Sequence, residues 1–554
     1  MASVDSFDFV IVGAGSAGCV LANRLSEDPT VSVLLLEYGG SDRSIYIQMP
    51  AALSIPMGMP KYDWGYVGEP EPGLGGRRLR VPRGKVLGGS SSINGLVYVR
   101  GHARDFDRWE REGARGWAYR DVLPYFRRSE TFSGGADSYR GGGGPLSTLR
   151  GAKANPLYDA FIEAGRQAGY AVSADLNGER QEGFGAFDMT VKKGVRASAA
   201  NAYLRPAAKR SNLRVVTGAL ARRVVFEGRR AVGVTYERGG VALTARARRE
   251  VILSGGAINS PQLLKLSGIG PVEELKALGL PIVHALPGVG ENLQDHLEFY
   301  FQVASIAPIT LYGKTGLLTR AFVGARWLFD RGGDGATNHF EAGGFIRSRA
   351  GVESPDIQLH FLPLAVSYDG KGLAREHGFQ AHVGPMRSAS KGWVRLRSAD
   401  PRDAPRIFFN YMGVAQDWAD MRSCVRLTRE LFAQRSFDPY RGREIRPGAE
   451  VQSDAAIDAF VRDHAESAYH PSCTCKMGGL DDPMAVVDPQ TRVYGVEGLR
   501  VVDASIMPSI TNGNLNAPTI MIGEKAADMI LGRPPLPASN APSWVPRHWR
   551  ERQR

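Results

Sequence analysis

Phe7-Asp8-Phe9-Val10-Ile11-Val12 runs without a break into Gly13-Ala14-Gly15-Ser16-Ala17-Gly18. The first six residues are β-prone and mostly apolar, the pattern of a strand buried in a parallel sheet. The next six form a G-x-G-x-x-G turn. Gly13 permits the tight bend, Gly15 lets the backbone approach a pyrophosphate, and Gly18 lets a helix over 17–25 pack on the strand. Ser16 and Ala17 lie at the start of that helix, whose free N–H groups face the phosphates. A second strand over 31–36 ends in Glu37, about 20 residues past the glycines, where a carboxylate accepts ribose hydroxyls. Together these predict a βαβ unit for a dinucleotide, without choosing between NAD and FAD.

Working outward, 554 residues exceed what one core usually supports, so at least two domains with a cleft between them are expected. With 43% hydrophobic and 23% charged residues, the composition is that of an ordinary soluble globular protein. No apolar run approaches the roughly 20 residues of a membrane-spanning helix. The first residues lack the basic and apolar regions of a secretion signal. A cytoplasmic enzyme, touching at most the inner face of the membrane, is expected. Four cysteines (Cys19, Cys424, Cys473, Cys475) are too few for a disulfide scaffold. Cys473-Thr474-Cys475 is neither a redox C-x-x-C nor half of a zinc site, so buried thiols and no metal are predicted. The net charge of +12 comes from scattered Lys and Arg with no recognition motif, which argues against nucleic acid. The Pro-rich stretch 533–554, with Trp544 and Trp549, reads as a solvated arm or an anchor on anionic lipid, and its prolines favour the arm.

A second glycine loop narrows the cofactor. Pro82-Arg83-Gly84-Lys85-Val86-Leu87-Gly88-Gly89-Ser90-Ser91-Ser92-Ile93-Asn94-Gly95 presents backbone N–H groups, with Gly88, Gly89, Ser90, Asn94 and Gly95 as the contact candidates. An extended cofactor with a flavin at its far end needs such a second cradle, and a nicotinamide does not, so FAD is predicted.

At these residues the chain resembles the glucose-methanol-choline oxidoreductases. The resemblance continues at Gly256-Ala257-Ile258-Asn259-Ser260-Pro261, Leu266-Ser267-Gly268-Ile269-Gly270 and Gly288-Val289-Gly290-Glu291-Asn292-Leu293-Gln294-Asp295-His296, and covers about residues 5–534. It implies that Asp503 and Ala504 sit by the phosphate–ribityl region of FAD and that the backbone of Ala221 meets the adenine. Asn516 is expected beside the flavin, ahead of a helix over 520–530. Some members tether FAD through a histidine just before the loop asparagine. That place is Ile93 here, so noncovalent FAD is expected.

Oxidising an alcohol requires the hydroxyl proton to leave with the hydride, and histidine suits that transfer near neutral pH. His470, in Ala468-Tyr469-His470-Pro471-Ser472-Cys473-Thr474, matches the family's catalytic histidine. Asn514, in Gly513-Asn514-Leu515-Asn516-Ala517-Pro518-Thr519, occupies its second catalytic position, where an amide can donate to the substrate oxygen. An aldehyde product follows.

Segments 338–347, 382–388 and 439–445 resemble the bacterial branch of the family that acts on choline, implying conversion of choline to betaine aldehyde. Glu341 and Trp64 are candidates for the pocket wall, with Tyr62 and Tyr66 near Trp64 forming either a lid or plain packing. Choline enzymes resembling this chain carry a glutamate two residues after the glutamine matching Gln302. Here that place is Ala304, which removes an anion that would attract a cation. Neutral aliphatic or aromatic primary alcohols are the alternative substrates. A quinone or other carrier is the expected electron acceptor, with peripheral membrane contact through the tail as a corollary.

The fold expected is α/β: a doubly wound, Rossmann-like FAD-binding domain from residues 5–300 and 486–534, a substrate domain on an antiparallel sheet over 301–485, and a basic tail over 535–554.

Overall fold

In the computed structural model, which describes residues 5–367, 372–373 and 376–554, the strand Asp5–Val12 is paired in parallel on both edges. Val33–Glu37 lies on one side and Val241–Leu253 on the other. Val10 and Ile11 are fully buried between them, as an apolar run without alternation requires. Leu213–Thr217 adds a parallel strand outside Val33–Glu37, and Leu499–Val501 adds another beside Val241–Leu253. Arg230–Arg238 and Ala219–Glu227 extend the sheet as an antiparallel meander. The second strand starts at Val33 rather than 31 because Val31 N–H closes a turn onto Asp28 O.

The helix Ser16–Leu25 packs against Asn516–Ile530, which in turn packs against Tyr119–Ser129. Asn516–Ile530 begins before the predicted residue 520. Pro518 is tolerated in its first turn because the N–H that proline lacks is one that a helix start leaves unpaired anyway.

Among the described residues a second sheet, antiparallel throughout, runs in the order Arg441–Arg446, Leu297–Ser305, Gly378–Pro385, Ile357–Leu362, Ala342–Ile346, Gly183–Ala186. The helices Pro156–Gln167 and Ala415–Phe432 pack against it. Phe161 from the first helix stacks on Phe361 of the sheet at 4.6 Å. The sheet departs from the sequence expectation in two places on its amino-terminal side: it takes Gly183–Ala186 from the stretch assigned to FAD binding, and Leu297–Ser305 begins before 301. A strand reading Gly-Phe-Gly-Ala carries little β signature. It pairs because Gly344 opposite leaves room for Phe184, whose ring a Cβ there would meet at 2.7 Å.

The tail departs from the solvated-arm reading. Ser539 N–H donates to Arg120 O, Trp544 N–H donates to Glu179 O, and the Arg180 guanidinium lies 3.9 Å over the Trp544 ring. Arg347 donates to Arg552 O at 2.8 Å, Gln553 donates to Arg347 O at 2.6 Å, and Arg554 pairs with Glu430 at 2.7 Å. The basic tail is therefore a strap along the surface. All four cysteines are buried free thiols. Among the described residues no helix is long and apolar enough to cross a membrane.

Candidate active site

One long cavity runs from the carboxyl ends of the parallel strands to the antiparallel sheet. At its nucleotide end the two glycine loops touch. Gly88, at φ +89°, donates its N–H to Ala14 O at 2.8 Å, and a Cβ on Gly89 would stand 2.7 Å from Gly15 Cα. A Cβ on Gly13 would meet Ser254 O at 2.5 Å, and one on Gly18 would meet Gly13 O at 1.9 Å. Gly18 and Gly88 therefore act from behind, holding helix and loop in place. Gly13, Gly15, Ser16 and Ala17 line the cavity themselves, as do Gly89, Ser90, Asn94 and Gly95 of the second loop.

Glu37 and Asp503 face the same space, with Ala221, Ala504 and Asn516. Glu37 accepts the N–H groups of Ala14 (2.9 Å) and Gly39 (2.7 Å). Burial pushes its carboxyl up to about 7, against the pull of those donors. Asp503 caps the short turn Ala504–Ile506 through Ser505 N–H, and also accepts from Gly256 N–H (2.8 Å) and Ser260 Oγ (2.6 Å). Asn516 accepts from Ser16 Oγ at 2.8 Å, tying the two cofactor-facing helices together. Two contacting loops that leave no room for a Cβ at Gly13, Gly18, Gly88 or Gly89, a helix N-terminus aimed into the cavity and a buried acid at a strand end fit the two phosphates and ribose of FAD.

Where this cavity meets the antiparallel sheet, His470 and Asn514 stand together, His470 Nε2 lying 3.2 Å from Asn514 Nδ2. Asp295 positions the histidine's loop, accepting from His470 N–H (2.6 Å), Tyr411 Oη (2.5 Å) and Ser467 Oγ (2.5 Å). The ring partners fix the tautomer. His296 Nε2 lies 3.2 Å from Met386 O, a pure acceptor, so it carries the hydrogen. Burial lowers the His296 pKa to about 4, so its Nδ1 is bare and accepts from His470 Nδ1–H at 3.1 Å. His470 Nε2 is thus left with its lone pair on the cavity side, accepting from the Asn514 amide. Asn514 Oδ1, in turn, lies 3.3 Å from both Gln358 Nε2 and His360 Nε2. Burial holds the His470 pKa well below the ordinary histidine value, with His296, His360 and Arg83 adding to the effect, so the ring is neutral.

The far wall is a cross-strand row. Tyr300 pairs in register with His382, and His382 with His360, on three neighbouring strands. Phe340 stands edge-on to both histidine rings, 5.2 Å from His382 and 6.2 Å from His360. Glu298, one strand alternation before Tyr300, accepts from His382 Nδ1 at 3.0 Å. Gln380 Oε1 accepts from Gln302 Nε2 and Val366 N–H, which turns Gln380 Nε2–H toward His382 Nε2. Gln380 thus donates to His382 Nε2, and His382 directs its Nδ1–H at Glu298. Among the described residues lining the cavity the acids are Glu37, Glu298 and Asp503.

Two pocket candidates are corrected. Ala304 does not line the cavity; it lies six residues past Glu298, about 20 Å along the strand at ~3.3 Å per residue, packed by Gly442. A carboxylate lost there would not have faced the cavity, which keeps that of Glu298. Glu341 does not line the cavity either; it accepts from Thr337 Oγ1 (2.6 Å) and Lys153 N–H (2.5 Å). Trp64 does line the cavity, stacked on Tyr66 at 5.6 Å, whereas Tyr62 packs with Ile47, Val86 and Ile93. Residues the sequence did not single out are Glu298, Tyr300, His360 and His382, and Asp295 and His296 as positioning groups. Asp295, His296 and His382 lie inside quoted family segments. His360 carried no local signal.

The amino-terminal and carboxy-terminal domains of the GMC oxidoreductase family match residues 7–298 and 388–523. The chain is 62% identical over 542 residues to the oxygen-dependent choline dehydrogenase of Brucella ovis, covering 98% of each chain. It is 57% identical over 551 residues to that of Photobacterium profundum, covering 99% of this chain and 97% of the other. Among solved structures it is similar to pyridoxine 4-oxidase from Mesorbium loti (TM-score 0.86, 32% identity, 96% of this chain and 100% of that one). It is also similar to the formate oxidase of Aspergillus oryzae RIB40, with a TM-score of 0.89 and 28% identity over 96% of this chain and 99% of that one. With both family domains matched and relatives of this identity over nearly its whole length, the chain belongs to the GMC oxidoreductases, FAD-dependent enzymes that act on CH–OH groups.

Proposed function

We propose that this enzyme oxidises choline to betaine aldehyde with noncovalent FAD. The observation that carries the reading is the neutral His470, its Nε2 3.2 Å from the Asn514 amide nitrogen, between a nucleotide cradle and the Glu298 carboxylate on the far wall. An alcohol oxygen lodged between the pair accepts from Asn514 Nδ2–H and donates its proton to His470 Nε2. Charge grows on that oxygen as the proton leaves, and a donor already in place stabilises it without reorganisation. His470 Nδ1–H, held on His296, keeps the ring from turning during the transfer. FAD, when bound, supplies the acceptor for the carbinol hydride at flavin N5.

Glu298 beside the rings of Tyr300 and Phe340 offers the carboxylate and aromatic faces that suit a trimethylammonium group. The relatives named choline dehydrogenase support the same substrate. Ile93, 2% exposed where a tethering histidine would stand, supports noncovalent binding. Electrons then pass to a quinone or other carrier; the relatives' name points to oxygen, and peroxide formation distinguishes the two.

Anaerobic mixing with choline should bleach the oxidised flavin. Bleaching only by neutral aliphatic or aromatic primary alcohols would move the substrate class, and no bleaching by either would defeat the dehydrogenase reading. Acid precipitation should release the flavin into solution; flavin that stays with the polypeptide would overturn noncovalent binding.

A further inference from the structure

The helix Leu317–Asp330 has its apolar side turned to solvent. Leu317, Leu318, Phe322, Leu328 and Phe329 are 84%, 89%, 66%, 56% and 92% exposed. At about 100° per residue they share one face with the exposed Ala321 and Ala325, in a sector roughly 140° wide. The opposite side is fastened through Trp327, 2% exposed, whose Nε1–H donates to Gly194 O at 2.7 Å. Scattered exposed leucines need no explanation, but a contiguous apolar helix face marks an interaction site.

Its surroundings are cationic. Arg320 and Arg326 border the apolar sector, Lys314 and Arg331 stand at the two ends, and exposed Lys192 and Lys193 lie on the hairpin that receives Trp327. Against these stand Asp330, 3.7 Å from Arg326, and Asp334, paired with Lys314 at 2.8 Å. We infer that this helix is a membrane-docking face: its leucines and phenylalanines enter the acyl boundary of an anionic bilayer while the flanking Arg and Lys bind headgroup phosphates. Its 14 residues span about 21 Å, too short to cross and suited to lie in the plane. A second copy is the weaker occupant, because a symmetric contact through this face would bring the same cations together. Beyond the helix, Gly333–Ala336 packs on Pro50–Ala52, and Asn338 then donates to Gly95 O of the flavin loop at 2.9 Å. Docking therefore sets the flavin cavity beside the lipid, whichever alcohol it oxidises.

The test is flotation of the holoenzyme with vesicles of phosphatidylethanolamine, with and without about 30% phosphatidylglycerol. The wild type should float with the anionic vesicles and be partly released by about 0.5 M salt. Phe322→Ser/Phe329→Ser should lower partitioning at least roughly 10-fold, and Arg320→Glu/Arg326→Glu should abolish the preference for phosphatidylglycerol. Both variants should keep the wild-type rate of flavin bleaching, which shows that they fold. A wild type that does not float, or a Phe322→Ser/Phe329→Ser enzyme that floats as well as the wild type, would overturn the inference. So would a lipid-free dimer that this variant converts to monomer, since the face would then belong to a second copy.

Discussion

The two ends of the cavity are built from different materials. The nucleotide end is mostly backbone: glycines pressed so closely that a Cβ at Gly18 would stand 1.9 Å from Gly13 O, with N–H groups, two buried carboxylates and short Ser and Asn side chains as the polar contacts. The alcohol end is side chains from separate strands and loops, Glu298, Tyr300, Phe340, His360, His382, His470 and Asn514, each held by a hydrogen bond or a ring contact. Backbone packing has no intermediate setting, because a clash below 3 Å must move a loop or a helix. Side chains can be trimmed one interaction at a time. Substitutions at the first end should therefore act on the cofactor as all or nothing, and those at the second should act on rate and preference in steps.

The largest effect should come from Gly18→Val, which forces the helix Ser16–Leu25 off its strand; the protein should purify without flavin absorbance, and a yellow variant would break the contrast. Next, His470→Ala should retain FAD but slow anaerobic flavin reduction by roughly 10²- to 10⁴-fold, the span of general base catalysis. An unchanged rate would remove His470 from the chemistry. Smaller is Glu298→Gln, which keeps the hydrogen bond from His382 and removes the charge. Preference for choline over its uncharged isostere 3,3-dimethylbutan-1-ol should fall roughly 10-fold, with the isostere's own rate unmoved. A ratio that stays put would place ammonium recognition elsewhere. The smallest concerns pH. Burial lowers the His470 pKa, so the base is already neutral at pH 6.5 and above, and the reduction rate should stay level from pH 8 down to about 6.5. An apparent pKa above 7 would mean that another group gates the proton.

The same contrast explains what could be read in advance. The nucleotide end is written in contiguous residues, Phe7 to Gly18 and Pro82 to Gly95, because a loop that cradles phosphates must be one piece of chain. His470 and Asn514 were found by their family wording and not by any pattern of their own. Glu298 was missed and Ala304 put in its place, because strand register decides which residue faces a cavity, and the row Tyr300–His382–His360 exists only once three strands pair. Gly183–Ala186 was invisible as a strand for a related reason: its fit depends on Gly344 across the pair. The tail's strap contacts lie with Arg120, Glu179 and Arg347, residues that nothing in a Pro-rich stretch points to.

The position of Asp5–Val12 in the middle of its sheet has a consequence for the newborn chain. Its partner on one edge, Val33–Glu37, is made at once, but Val241–Leu253, its partner on the other, follows about 240 residues later. At ~5–20 residues per second the ribosome leaves that hydrophobic edge unpaired for roughly 12–50 s before its other neighbour exists. The segment that grips FAD is thus among the first synthesised, yet stays bare on one edge until about 250 residues have been made, so helper proteins that shield bare strands should govern how much enzyme a cell obtains.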